Sequence, residues 1–149
     1  MEELLIALLE RFAKEMPELS FIDEDCGQLE ALEDENDDRY PVTFPCVLIS
    51  NTDIDWIDIA PGVQKGEARL TVRLAIDCYD DTHIGSGTTD RIAERWLMSN
   101  KVYKTLQGFR LNRLYGPLKR VKSRDYCLPG EIKVYEKVFT FYYHDESAR

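Results

Sequence analysis

Residues 67 to 79, EARLTVRLAIDCY, alternate with little tolerance for any other conformation. Leu70, Val72, Leu74, Ile76 and Cys78 fall on one side and Arg69, Thr71, Arg73 and Asp77 on the other. Successive side chains of a β-strand point to opposite faces, so this pattern predicts a half-buried strand with one apolar face. Whatever else the chain does must cover that face. Two segments have the period to do so. Residues 3 to 16 place Leu5, Leu8, Leu9, Phe12 and Met16 on one helical stripe, and Pro17 ends it. Residues 90 to 107 place Ile92, Trp96, Tyr103 and Leu106 at helical spacing, with Gly108 where a C-terminal cap is expected.

The remaining apolar runs predict further strands. YPVTFPCVLIS, residues 40 to 50, is β-branched and aromatic, with a strand at about 45 to 50; Pro41 and Pro45 suggest an edge position or a bulge. Strands at about 117 to 127 and 131 to 143 flank an LPG turn. The acidic stretch around 23–39 reads as a solvated loop in which Leu29 and Leu32 could anchor a short turn. NTDIDWIDIAPGVQKG, around 51–66, shows no sustained period and reads as an insertion loop with an exposed tip. The order helix, strand, strand, helix, strand, strand predicts an α+β fold. It comprises one domain over 1–149, an antiparallel sheet of about four strands and two main helices packed on one face.

With 149 residues, 44% hydrophobic and 32% charged, the chain has the make-up of a globular protein. MEELLIALLERF carries acids where an export signal carries Lys or Arg, and no apolar run is long enough to span a bilayer. Neither secretion nor membrane insertion is therefore expected. Cys26, Cys46, Cys78 and Cys127 lie far apart with no CxxC pair, which predicts reduced thiols rather than a disulfide framework or zinc site. The net charge of −9 is unevenly spread: −16 over residues 1 to 90, +9 over 91 to 124 and −2 thereafter. Sequence-specific nucleic-acid binding is not expected, since the acidic remainder opposes the basic block. That block reads better as a solvated face or a docking surface.

DTHIGSGTTDRIAERW, residues 81 to 96, has the look of a phosphate loop but lacks its chemistry. No Lys follows the glycines to neutralise a phosphate, and Asp90 stands where a third glycine would admit a pyrophosphate. Gly85 and Gly87 are expected to turn the chain, with Ser86, Thr88, Thr89 or Asp90 capping the helix behind them. His83 and His144 are the only histidines and are not helically spaced, and no Cys, His or carboxylate pattern converges on a nucleophile. No catalytic, metal or cofactor residue is expected, and no cofactor. Trp56, among Asp53, Asp55 and Asp58, reads equally as an interface anchor or as core. Trp96 is expected in the core.

The chain resembles the tail-terminator (tail-completion) proteins of long-tailed bacteriophages and prophages. The resemblance lies in the N-terminal helix, YPVTFPCVLIS, the insertion loop, GEARLTVRLAIDCYD, TDRIAERWLMSNKVYKTLQGF and the final EKVFTFYYHD. The acidic stretch from Asp23 to Asp38 departs from that family. The resemblance implies a non-catalytic subunit that forms a ring, commonly of six copies, on the tail tube and meets the head-completion proteins. It implies a location in the host cytoplasm during assembly and in the virion tail afterwards. Two other classes stay open: a binding domain that forms no ring, or another head-tail component, and a metal or thiol enzyme using His83, His144 and cysteines. The charge split points to an assembly interface between Asp53, Asp55, Trp56, Ile57 and Asp58 on one copy and Lys119, Arg120, Lys122 and Arg124 on the next.

Overall fold

The computed structural model describes residues 1–33, 42–50 and 52–149. Its elements in chain order are helix α1 (Glu2–Glu15), strand β1 (Phe21–Glu24), a 3-10 turn at Glu30–Glu33, β2 (Cys46–Ile49), β3 (Asp53–Ala60), β4 (Val63–Asp77), helix α2 (Asp90–Leu106), β5 (Lys119–Leu128) and β6 (Ile132–Asp145). The fold is α+β with a six-stranded mixed sheet in the order β1-β2-β4-β6-β5, and β3 pairs with β4 as well. Two strands exceed the expected four, and β1 pairs with β2 in parallel, so the sheet is not purely antiparallel. β1 is four residues long, too short for its period to be read.

β4 is the spine. It pairs along its whole length with β6, from Gln64 opposite Asp145 to Asp77 opposite Ile132. On its other side β2 occupies one half, Cys46 to Ile49 against Ala75 to Val72, and β3 the other, Asp53 to Ala60 against Arg69 to Val63. A fifteen-residue strand thus carries two short strands end to end. β2 lies between β1 and β4 with all four residues buried. The edge position suggested by the prolines is therefore wrong: Pro45 precedes the ladder and leaves its donors intact, and Pro41 lies outside the described residues.

The two faces of β4 build two cores. Leu70, Val72, Leu74 and Ile76 join Val47, Ile49, Phe139 and Phe141 beneath Leu4, Leu8 and Phe12 of α1, Met16 just past its end, and Val102 and Leu106 of α2. Both helices therefore lie on one face, as expected. On the opposite face a smaller cluster gathers Leu29, Val42, Cys46, Leu48, Ala75, Ile132 and Val134. Leu29 anchors the turn as expected, while Leu32 is exposed, and residues 34 to 39 of the acidic stretch lie outside the described residues.

A buried charge sits at the rim of this smaller core. Arg73, 8% exposed, grips Asp25 through Nε and Nη2 at 2.7 and 2.9 Å, and donates to Glu30 and to the Tyr126 hydroxyl. Burial alone would favour losing its proton; hydrogen bonds to Glu30 and Tyr126 and the charges of Asp25 and Glu30 hold it firmly protonated. The cluster ties the connection after β1 to the middle of the sheet.

Candidate functional site

The acidic residues expected at an assembly interface lie on a strand, not on a loop, and the basic ones on a strand as expected. Asp53, Asp55, Trp56, Ile57 and Asp58 belong to β3, whose hairpin with β4 turns at Pro61 and Gly62. The sequence shows the signal in retrospect: DIDW alternates acid and apolar residues before a Pro-Gly turn. A break at Ile57–Asp58, and the bulge between Asp58 and Ala60, hide the alternation from a short window. Trp56, 39% exposed, lies across Gly66 and meets Tyr143 edge-on, with centroids 5.8 Å apart. Tyr143 stacks in turn on Tyr115. A Cβ on Gly66 would stand 2.9 Å from the Trp56 ring and 2.6 Å from Ile54. Gly66→Val is therefore expected to displace the indole and cost about 1–3 kcal/mol. The expected observation is a red shift of Trp56 fluorescence in a Trp96→Phe background.

β3 and β5 are free edges on opposite sides of the sheet, since among the described residues β3 pairs only with β4 and β5 only with β6. They differ in sign. β3 carries three aspartates and no base, and β5 holds Lys119, Arg120, Lys122 and Arg124 with one acid, Asp125. The ladder registers also sort each edge by face. Asp53, Asp55 and Ile57 share the face opposite the helices with Lys119, Lys122 and Arg124. Trp56 and Asp58 share the helix face with Arg120, Ser123 and Asp125. The structure therefore keeps the two proposed groups apart within one copy, and on the face opposite the helices the acidic row of one edge has a basic row on the far edge. Lys119 and Lys122 are exposed, Arg120 stacks 3.8 Å over the Tyr103 ring, and Arg124 bonds Glu136 at 2.5 Å and lies over Tyr126.

Sequence reasoning missed a second feature beside the basic edge. α2 buries Ser99, Val102, Thr105 and Leu106, while Ile92 is 52% and Trp96 59% exposed. Trp96 is thus more open than Trp56, and the expected core stripe is overturned. The reason lies in the floor. Beneath the C-terminal half of α2 the helix core holds Phe139 and Leu118, but beneath its N-terminal half the sheet presents Lys133, Tyr135 and Lys137 from β6 and Ser123 and Asp125 from β5. A helix cannot close on such a floor. Two hollows of about 370 and 560 Å³ remain there, sharing Trp96, Asp125 and Tyr135 and so forming one groove. Because Trp96 makes little burial, Trp96→Ala is expected to change stability by no more than ~0.5 kcal/mol, checked by urea unfolding.

Lys137 lies in this groove, only 5% exposed. Its Nζ donates to Ser99 Oγ, and among the described residues it has no salt bridge. Asp125, the nearby carboxylate, is bonded at 2.8 Å by Lys133. Burial, then repulsion from Arg120, brings the Lys137 ammonium down to about 8. An amine with a folded value below its ordinary 10.5 penalises folding while charged in both states. The penalty is full below pH 8 and is relieved as pH rises toward 10.5. The stability gap between Lys137→Met and the parent should shrink by on the order of 3 kcal/mol over that window. Cys46, which burial pushes up to about 12, titrates with the opposite sign but equally in both proteins, so the difference isolates Lys137.

Elsewhere the glycine loop forms turns. Gly85 and Gly87 have φ of +92° and +82°, with nothing within 4 Å of an added Cβ. Thr89 holds the N-cap position of α2 without a side-chain capping bond; Thr88 Oγ1 instead donates to the Asp81 carbonyl, and Asp90 sits in the first turn. His83 pairs with Asp81, and no disulfide joins the cysteines. Among the described residues no cluster of three His, Cys, Asp or Glu has metal-binding geometry, and no helix is long and apolar enough to cross a membrane.

No protein-family model matches the chain, and no curated protein does. Among solved structures, it is similar to a chain of the virion of a native gene transfer agent (GTA) particle. The two are 11% identical with a TM-score of 0.49, over 83% of this chain and 78% of that one. At that level the likeness carries no functional argument.

Proposed function

We propose that this protein is a structural assembly subunit whose copies join head to tail, β3 of one against β5 of the next. The observation that carries the reading is the pair of free, oppositely charged edges on one sheet. From β3 through β4 and β6 to β5 each pairing is antiparallel, so β3 and β5 run in opposite directions. A neighbour related by rotation about an axis along the strands therefore offers β5 antiparallel to β3, the direction in which a ladder forms. Such a contact uses different patches on the two partners and closes into a ring when the rotation divides a full turn. On the face opposite the helices Asp53 and Asp55 then meet Lys119, Lys122 and Arg124.

The finer reading follows the sequence resemblance: a ring of six on a phage tail tube, met by the head-completion proteins, formed in the host cytoplasm and carried in the virion tail. It assigns the chain no reaction, cofactor or membrane. A net charge of −9 suits a ring through which DNA passes, because phosphates are repelled rather than held.

Sedimentation velocity of the purified protein tests the reading. The parent should associate with concentration and dissociate as salt screens charges beyond about 8 Å. Lys119→Glu with Lys122→Glu should be monomeric under the same conditions with an unchanged melting temperature. These two are the clean choice because Arg120 is engaged with Tyr103 and Arg124 with Glu136. A parent that stays monomeric at every concentration and salt overturns the ring and favours a stand-alone binding domain.

A further inference from the structure

Side chains opposed across an antiparallel pair share a face, so one copy's β3 can slide along the next copy's β5 only in steps of two residues. Each step makes a distinct set of partners. In one register Asp53 stands opposite Arg124, Asp55 opposite Lys122 and Ile57 opposite Lys119, with Ile54 opposite Ser123 on the helix face. β5 carries an extra residue, Val121, between Arg120 opposite Phe139 and Lys122 opposite Val138. That bulge sets Trp56 opposite Arg120, both on the helix face. A step toward the start of β5 puts Asp53 against Lys122 and Asp55 against Lys119, but it carries Ile57 past the first residue of the strand onto Pro117, which has no N–H to donate. A step the other way brings Asp58 to Arg120, leaves Asp53 opposite Tyr126 and sets Ile54 against the Asp125 carboxylate, which Lys133 already holds.

Resting on the head-to-tail reading above, we infer that copies join in the register that opposes Asp53 to Arg124, and that the Arg120 guanidinium is held there between Tyr103 of its own copy and Trp56 of the next. Arg120 is exposed, yet its guanidinium already lies 3.8 Å over the Tyr103 ring. The cation is therefore placed before a partner arrives. Trp56, 39% exposed on the β3 edge, is braced by Tyr143 and lies across Gly66. Opposed Cβ atoms across an antiparallel pair are about 4.5–5.5 Å apart, and a guanidinium is attracted to an indole face within about 6 Å of its centroid. The long Arg120 side chain spans that distance. Either neighbouring register removes the contact, since it places Trp56 opposite Leu118 or Ser123. Asp53 and Asp55 pair with bases on one face, while Arg120 and Trp56 fix the register from the other. A lysine at 120 would keep the charge without the planar group that stacks on both rings.

Disulfide cross-linking reads the register. In the full chain with the exposed Cys26 and Cys127 changed to Ser, protein carrying Ile54→Cys is mixed with protein carrying Ser123→Cys, Asp125→Cys or Arg120→Cys and oxidised. The Ser123→Cys mixture should yield the cross-linked dimer, and the other two should yield little. A double-mutant cycle by sedimentation equilibrium then reads the stacking. Trp56→Leu and Arg120→Met should each weaken association about fivefold or more, and the second change should add little to the first. Arg120→Lys should recover little of the loss, which a role for charge alone would restore. Cross-linking at position 125 or 120 in place of 123 overturns the register, and additive or absent losses overturn the stacking; in either case the edge pairing stands if Lys119→Glu with Lys122→Glu still abolishes association. A parent that associates with no cross-link from any mixture, or that never associates, overturns the head-to-tail reading and this inference with it.

Discussion

Arg73→Ala should lose about 3–5 kcal/mol of unfolding free energy, the cost of removing one partner from a buried ion pair. Arg73 is the hub of its cluster: two guanidinium nitrogens bond Asp25, whose side chain is 10% exposed, and two bond Glu30. Without the guanidinium Asp25 stays under the connection after β1 with its charge unmatched. Glu30, about 60% exposed, can turn to water, so Asp25 bears most of the loss. Arg73→Met isolates the charge from the volume and should still destabilise while Asp25 remains. Adding Asp25→Leu should recover stability, because an apolar pair of similar volume replaces buried ions at little or no cost. Guanidinium unfolding with unchanged m is the measurement. Equal stability of Arg73→Ala and the parent would mean that water already satisfies Asp25.

Phe12→Ala is expected to cost a similar ~3–5 kcal/mol for a different reason. Phe12 is fully buried in the core that joins α1 to the helix face of β4 and to Val102 and Leu106 of α2. The tie between the two helices is otherwise thin: Arg11 Nε donates to the Thr105 carbonyl at 2.6 Å, and Lys101 pairs with Glu18 at 2.9 Å near the surface. Removing the ring leaves a cavity that α1, held on the core by Leu4 and Leu8 and by Met16 just past its end, cannot collapse to fill. Phe12→Leu, nearer in volume, should lose much less. Because β3 and β5 lie away from α1, a variant still folded at low temperature should associate as the parent does. Coupled loss of stability and association would show that the edges depend on this core.

The main helices and the spine were legible in the sequence because local physics writes them there. A helix that rests on apolar floor along its length must repeat at 3.6 residues, as Leu8 and Phe12 do, and a strand with one apolar face must alternate, as Ala68, Leu70, Val72, Leu74 and Ile76 do. The proline after α1 and the Leu-Pro-Gly turn between β5 and β6 are backbone chemistry, readable without a partner. The charge split, too, is a property of the chain, and so are the identities of the edge residues: Asp53, Asp55 and Asp58 against Lys119, Arg120, Lys122 and Arg124.

What only the tertiary structure decided is where those residues stand and what lies beneath them. β3 is held by the first half of β4, Val63 to Arg69, and its own alternation breaks at Ile57–Asp58, so its existence depends on a pairing rather than a period. β1 is a strand because β2 lies beside it in parallel, which no local pattern of four residues encodes. Trp96 has the spacing of a core residue and is exposed because β6 places Lys137 and Tyr135 under that half of α2. Periodicity reports which face of an element is apolar, but burial is settled by the opposing surface, and that surface comes from residues some forty positions away. The same holds for Lys137: along the chain it is an ordinary base of an alternating strand, and only the register across β4, β6 and β5 makes it a buried charge facing a free edge.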